Sequence, residues 1–446
     1  MVDMIKNAGI RKNPFILFLP VLILYVVLIL FFANKETTGD EGRYLMYAQN
    51  LTKGFYSPPP PAIDLGNGPG YPLILAPFVA LHLPFFFMQL VNAISYYLSI
   101  VLLFKSLQQI VPFRLSVVFS LIWALYPTYY EYMADTLPEV FVASLIPLLL
   151  FTSLKAFESA NAKKSRKYIF WAGFTLGYIA LTKPIFGYVI MFMIGGALLL
   201  LMMNKKSANY KKTMIILIIA FLTTTPYLIY TYHLSGKMFY WSSFGGNNLY
   251  WMSTPYEGEY GDWIGFPISH TEEYRIPGSE KTITSHHQKD FDKILKNKEV
   301  QETNVQDGVI EYNLTKGVSQ DDLFRSIAIN NIKSHPVKFV KNCISNAGRI
   351  FFNYPASYVL QKPSTLRRLP INGTLLVVSL FCLILSLVNW RKILYPIRFF
   401  LLLGFIYFGG SLLGSADIRT FILVVPILLI WIAYIINKSV KVKMNW

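Results

Sequence analysis

Long apolar runs separated by short charged stretches organise most of this chain. The first run, Pro14 to Ala33, holds about 20 residues, which at a rise of ~1.5 Å each cross a bilayer's hydrocarbon core. Comparable runs follow at 85–104, 115–130, 137–151, 168–182, 185–203 and 213–232. Three more close the chain at 371–390, 396–413 and 418–436. The pattern predicts an all-α polytopic membrane protein with about ten transmembrane helices. Pro138 and Pro147 predict a kinked path for the fourth of them.

Two hydrophilic stretches interrupt the pattern. In the first, Asn34 to Gly70, residues Asp40 to Lys53 place Tyr44, Tyr47, Ala48 and Leu51 on one side, which predicts an amphipathic helix along the membrane interface. Pro58 to Pro61 then reads as a stiff polyproline II piece, and Gly66-Asn67-Gly68-Pro69-Gly70 as a turn. Tyr71 to Ala80 is a partial apolar segment interrupted by proline. The second stretch, His233 to Pro370, is rich in aromatics at its start and predicts a small extracytoplasmic domain. Within it, Gln320 to Phe352 reads as an amphipathic helix with Leu323, Ile327, Ile332 and Phe339 as apolar positions. The expected organisation is a transmembrane catalytic module over 1–232 with an interfacial loop at 34–70, an outer domain over 233–370, and C-terminal transmembrane helices over 371–446. No internal repeat is visible.

Composition agrees with the pattern. Hydrophobic residues make up 54% of 446 and charged residues 15%, where a soluble protein carries about 25% charge. The net charge of +17 would suit a nucleic-acid partner if it were spread over the molecule. It is instead concentrated in the segments before 14, at 105–114, 155–167, 204–212 and 391–398, and after 436, where Asp3 and Glu158 are the only acids. That is the positive-inside rule, and it predicts that both termini lie in the cytoplasm of a multi-pass plasma (inner) membrane protein. Lys6, Arg11 and Lys12 ahead of the first run resemble a signal peptide, but the run is too long and reads as a retained span. Cys343 and Cys382 fall in different expected compartments, which argues against a disulfide scaffold and a thiolate metal site.

Candidate chemistry begins where the first run ends, at Gly39-Asp40-Glu41-Gly42-Arg43-Tyr44. Two adjacent carboxylates at a membrane's edge suit proton transfer, and the planar fork of an arginine beside them suits a phosphate. The plainer alternatives are a helix N-cap for Asp40 and a snorkelling interfacial arginine for Arg43. His270, His286 and His287 match no metal-ligand spacing and read as solvated loop histidines.

Five stretches resemble the GT-C lipid-linked-sugar glycosyltransferases, the superfamily of protein O-mannosyltransferases and aminoarabinose transferases. They are the acidic corner at 39–44, Gly70-Tyr71-Pro72, Leu181-Thr182-Lys183-Pro184, Gly245-Gly246-Asn247-Asn248-Leu249-Tyr250, and Ala416-Asp417-Ile418-Arg419 running into Pro426. The resemblance implies a sugar donor on a polyprenyl phosphate and an active site on the outer face. Asp40 would then be the general base, and Glu41 its partner or an acceptor-positioning group. Arg43, Lys183 and Arg419 would hold the donor phosphate, with Asp417 a partner for Arg419. Asp135 and Glu139, one helical turn apart, would bind acceptor, neighbouring cations or a divalent metal; solvated loop carboxylates are the bland reading. No cofactor is required by these residues. The acceptor is a lipid, a glycan or a protein. Tyr250, Trp251 and Trp263 would stack on sugar or pack the outer domain.

Two competing readings stand beside this one. A flippase or transporter for a lipid-linked saccharide predicts charges buried mid-span and repeated halves, whereas here the charges gather at span ends. An oligosaccharide polymerase or ligase would share the donor class.

Overall fold

The computed structural model describes residues 13–32, 40–60, 63–159, 161–203, 207–263, 287, 290, 302–306, 309–312, 317–357 and 363–439. Its architecture is helical apart from one antiparallel hairpin, Glu302–Gln306 with Val309–Tyr312. The hairpin is a small departure from the all-α expectation, and it lies in the hydrophilic stretch 233–370. By length and composition, six described helices can cross a membrane. Three shorter apolar helices, Leu19–Phe32, Gly70–Ala80 and Val425–Ser439, accompany them.

The first apolar run forms α1 (Pro14–Leu17) and α2 (Leu19–Phe32), with the Asn13 side chain accepting from Phe15 N at the start. The acidic corner opens α3 (Asp40–Thr52), whose two leading carboxylates suit the positive end of its dipole. Tyr44, Tyr47 and Ala48 are buried along it as the periodicity predicts. The interrupted apolar segment is a continuous α4 (Gly70–Ala80) that packs on α3. Then come α5 (Phe85–Leu107), α6 (Phe113–Ala124), α7 (Pro127–Tyr132), α8 (Pro138–Glu158), α9 (Ala162–Thr182), α10 (Ile185–Met202) and α11 (Ala208–Ser235). The run expected at 115–130 is therefore two helices, broken before Pro127, which cannot donate to the preceding turn.

The centre of the bundle is α8, packed between α5 and α9, with α9 in turn against α11. Proline and small polar residues set the joints. Pro184 separates α9 from α10, and the left-handed Gly236 ends α11. Much of the core between α2, α5, α6 and α7 is aromatic, built from Tyr25, Tyr96, Trp123 and Tyr129. Its polar tips are satisfied inside, as with Tyr25 Oη donating to Ala124 O at 2.7 Å and Trp123 Nε1 to Ser99 Oγ at 2.9 Å.

Beyond α11 lie α12 (Gly245–Met252), α13 (Val318–Ser334) and α14 (Pro336–Phe352). The single amphipathic helix expected over 320–352 is two helices, because Pro336 starts a new one. The buried line of α13 is Gln320, Asp321, Phe324 and Ala328, with Leu323 and Ile327 only half-buried. The chain closes with α15 (Pro363–Val388), α16 (Tyr395–Leu412), α17 (Arg419–Ile422) and α18 (Val425–Ser439). The last expected span is thus α17 and α18, with a short turn between them.

Candidate active site

Four joints meet at one end of the bundle: the start of α3, the loop from α7 to α8, the break between α9 and α10, and the turn from α16 to α17. Each brings a charge. Asp40, at 39% side-chain exposure, accepts from Arg43 Nη2 on Oδ1 and from Arg419 Nη1 on Oδ2, both at 3.1 Å. Arg419 also donates from Nε to Asp417 Oδ2 at 2.8 Å, and its backbone N donates to Asp417 Oδ1 at 2.9 Å. The bond from Arg419 to Asp40 joins residues 379 apart in sequence.

Lys183 caps α9 and donates from Nζ to Glu139 Oε1 at 2.5 Å, while Glu139 Oε2 is buried and has no partner among the described residues. Each of the three expected phosphate ligands is therefore already facing a carboxylate. A guanidinium carries five N–H donors, so Arg43, with one engaged by Asp40, and Arg419, with Nε and Nη1 engaged, keep donors for a further anion. Arg43 also lies over the Phe244 ring, 5.4 Å from its centroid.

Two expected groupings come apart. Asp40 and Glu41 do not form a carboxylate pair: Glu41 is 2% exposed and accepts from Thr136 N at 2.7 Å and Thr136 Oγ1 at 3.1 Å. It braces the α7–α8 loop from beneath. Asp135 and Glu139 do not share a helix face, since α8 begins only at Pro138. Asp135 stays in the loop, where burial and then the neighbouring Glu41 carboxylate push its carboxyl up to about 6 against the opposing Arg419. Glu139, in the first turn of α8, turns instead to Lys183.

Other residues find different places. His287 is 2% exposed and lies between Tyr250 Oη at 2.6 Å and the Glu259 carboxylate at 3.1 Å, so it is not a solvated histidine. His270 and His286 lie outside the described residues. Tyr250 and Trp251 are buried packing groups, while Trp263 is exposed. Among the described residues no three carboxylate, imidazole or thiol groups converge as a metal's ligands.

Loops that periodicity cannot read line the site. Tyr44 Oη donates to Asn67 Oδ1 at 3.1 Å, tying α3 to the Gly66–Gly70 turn. Gly68 and Gly70 press on Leu181 and Thr182, just before Lys183, where an added Cβ would fall inside van der Waals contact. The loop before α12 closes the same side, through Ser242 Oγ to Gly66 O at 2.7 Å and Ser243 N to Leu65 O at 3.0 Å. Phe244 and Thr136 carry no sequence signal of their own. Phe244 adjoins the Gly245–Tyr250 stretch, and Thr136 adjoins Asp135.

The chain is similar to known proteins in one segment and in fold. Residues 66–230 match the family model described as dolichyl-phosphate-mannose-protein mannosyltransferase. The archaeal oligosaccharyltransferase AglB of Archaeoglobus fulgidus, solved with an inhibitory peptide and a dolichol-phosphate, superposes with a TM-score of 0.50 at 12% identity. That superposition covers 97% of this chain and 51% of AglB, so the chain spans about half the length of that protein. The apo form of the same oligosaccharyltransferase gives 0.50 at 11% identity, covering 94% of this chain and 50% of that one. ArnT of Cupriavidus metallidurans bound to undecaprenyl phosphate gives 0.39 at 11% identity, covering 95% and 77%. No curated protein matches the chain. The bundle, its order of helices and the matched segment together give this chain the GT-C membrane fold.

Proposed function

We propose that the protein is a membrane glycosyltransferase that moves a sugar from a polyprenyl-phosphate donor to an acceptor at the extracytoplasmic face. The observation that carries this reading is Asp40 held between Arg43 and Arg419, with Lys183 and Glu139 beside them. Asp40 takes the proton from the acceptor's hydroxyl or amine as its oxygen or nitrogen attacks C1 of the sugar. The bond from C1 to the phosphate oxygen breaks with its electron pair left on the phosphate. Arg43, Arg419 and Lys183 stabilise that developing charge, the arginines through donors that Asp40 and Asp417 leave free. A single displacement inverts the anomeric configuration. Residues 1–232 would form the catalytic module, 233–370 the outer cover and 371–446 the helices that bring in Arg419.

The donor class is supported by the matched mannosyltransferase segment and by the dolichol-phosphate held by AglB. The decisive variant is Asp40→Asn, which keeps the size of the side chain and removes its basicity. Membranes carrying it should bind polyprenyl phosphate as wild type does and transfer no sugar. Transfer at the wild-type rate would remove Asp40 from the chemistry.

A further inference from the structure

Helix α14 is amphipathic with its faces reversed. Its polar residues Asn342, Asn346 and Arg349 are buried, whereas Val337, Val340 and Ile344 are 69%, 56% and 68% exposed. The three apolar residues are spaced i, i+3 and i+7, so they form one continuous ridge. A soluble surface helix places these classes the other way round. The segment from Leu323 to Phe352 contains no acid, while Lys333 and Lys341 are exposed beside the ridge. Helix α14 packs against α15, where Asn372 Nδ2 donates to Phe351 O at 2.6 Å, and α15 is exposed and apolar at Leu366, Leu369, Val377 and Leu380. Residues Thr365–Val388 of α15 form a candidate membrane span, so α14 is packed against a helix with exposed apolar side chains.

The buried face is equally specific. Asn346 Nδ2 donates to the carbonyls of Ser411, Leu412 and Gly414 at 3.0, 3.3 and 2.7 Å, and its Oδ1 accepts from Ala416 N at 3.2 Å. One amide therefore clamps the turn that leads directly to Asp417 and Arg419. Asn342 Nδ2 holds Met252 O and Thr254 O, both at 3.0 Å, at the end of α12. Arg349 locks Asn346 in place, donating from Nη2 to its Oδ1 at 3.0 Å and from Nη1 to Tyr260 O at 2.7 Å.

We propose that α14 is seated in the outer interface of an anionic lipid bilayer through Val337, Val340 and Ile344, and that Asn346 uses this seat to hold Arg419 at headgroup depth. The second half rests on the glycosyltransferase reading above, in which Arg419 grips a lipid phosphate. Asn346 touches no reacting atom and is a positioning residue. The lysines match an anionic surface, and the ridge is as wide as one helix face buried at the headgroup boundary.

The test uses the full chain in nanodiscs of phosphatidylethanolamine and phosphatidylglycerol. A bimane on Val340→Cys, in a Cys343→Ser background, should be quenched by doxyl-labelled lipid and shielded from iodide. Strong iodide quenching with none from lipid would overturn the seat, as would a second protein covering the ridge. Undecaprenyl phosphate is then titrated into wild type, Asn346→Ala, Arg419→Lys and the double variant. Each single variant should weaken binding roughly tenfold, and the double should be no worse than either, since coupled residues are not additive. Normal binding by Asn346→Ala, with Arg419→Lys impaired, would overturn the positioning role. If wild type itself binds no undecaprenyl phosphate, the glycosyltransferase reading fails while the quenching result stands on its own.

Discussion

Asp40 and Glu41 are adjacent in the chain, but a helix turns successive side chains about 100° apart, and that rotation separates their roles. Asp40 faces two arginines at the open end of the site, and Glu41 faces the Thr136 backbone in the interior. Removing the Glu41 carboxylate with Glu41→Ala leaves a buried N–H without its acceptor, which costs about 1–3 kcal/mol. Glu41→Gln keeps an acceptor oxygen, so it should melt close to wild type and retain most of its transfer, unlike Asp40→Asn; thermal melts and a transfer assay on membranes check this. Asp135 supplies a pH signature. Its carboxyl is held near 6 in the fold, above its ordinary value, so the protonated form favours the folded state. That contribution is fully present below about pH 4 and is lost as pH rises through about 6. Asp135→Asn should remove it, so the variant's melting temperature should gain on wild type as pH rises across that window.

At the scale of elements, the joints matter more than the helices they separate. The Gly66–Gly70 turn and the α9–α10 break were both readable from glycine and proline, and both form. Their contact was not readable, because periodicity describes one segment's faces and says nothing of which other segment meets them. Gly70 abuts Thr182 so closely that an added methyl cannot be placed without moving the end of α9. Gly70→Ala should therefore cost several kcal/mol, as overpacking of a fixed backbone contact does. It should also weaken donor binding through Lys183, read as a raised KM alongside a lower melting temperature. The same limit explains α13 and α14. Their apolar positions suggested one helix with an ordinary buried stripe, yet Pro336 divides it and the second half buries its asparagines instead.

For the whole molecule, the distribution of Lys and Arg makes a prediction about sides. In intact cells, a membrane-impermeant thiol reagent should modify Asp40→Cys, which is part-exposed, and should reach Lys164→Cys, on the opposite end of α9, only after lysis. Labelling in the reverse order would place the proposed site in the cytoplasm. The apolar runs by themselves determined that this chain is a helical membrane bundle, roughly where its helices lie, and that its charges collect at helix ends, because desolvation of backbone and charge in lipid leaves few other arrangements. The charged corner after the first run pointed to Asp40 and Arg43, and the resemblance of two later stretches implied Lys183 and Arg419. Only the tertiary structure decided that Asp40 is shared by Arg43 and Arg419, that Glu139 belongs to Lys183, and that Glu41 and Asn346 bond to distant backbone. Apart from Asp40 and Arg43, which share a turn of α3, those pairings join residues tens to hundreds of positions apart, and their energies depend on distance and burial, which exist only once the helices have packed.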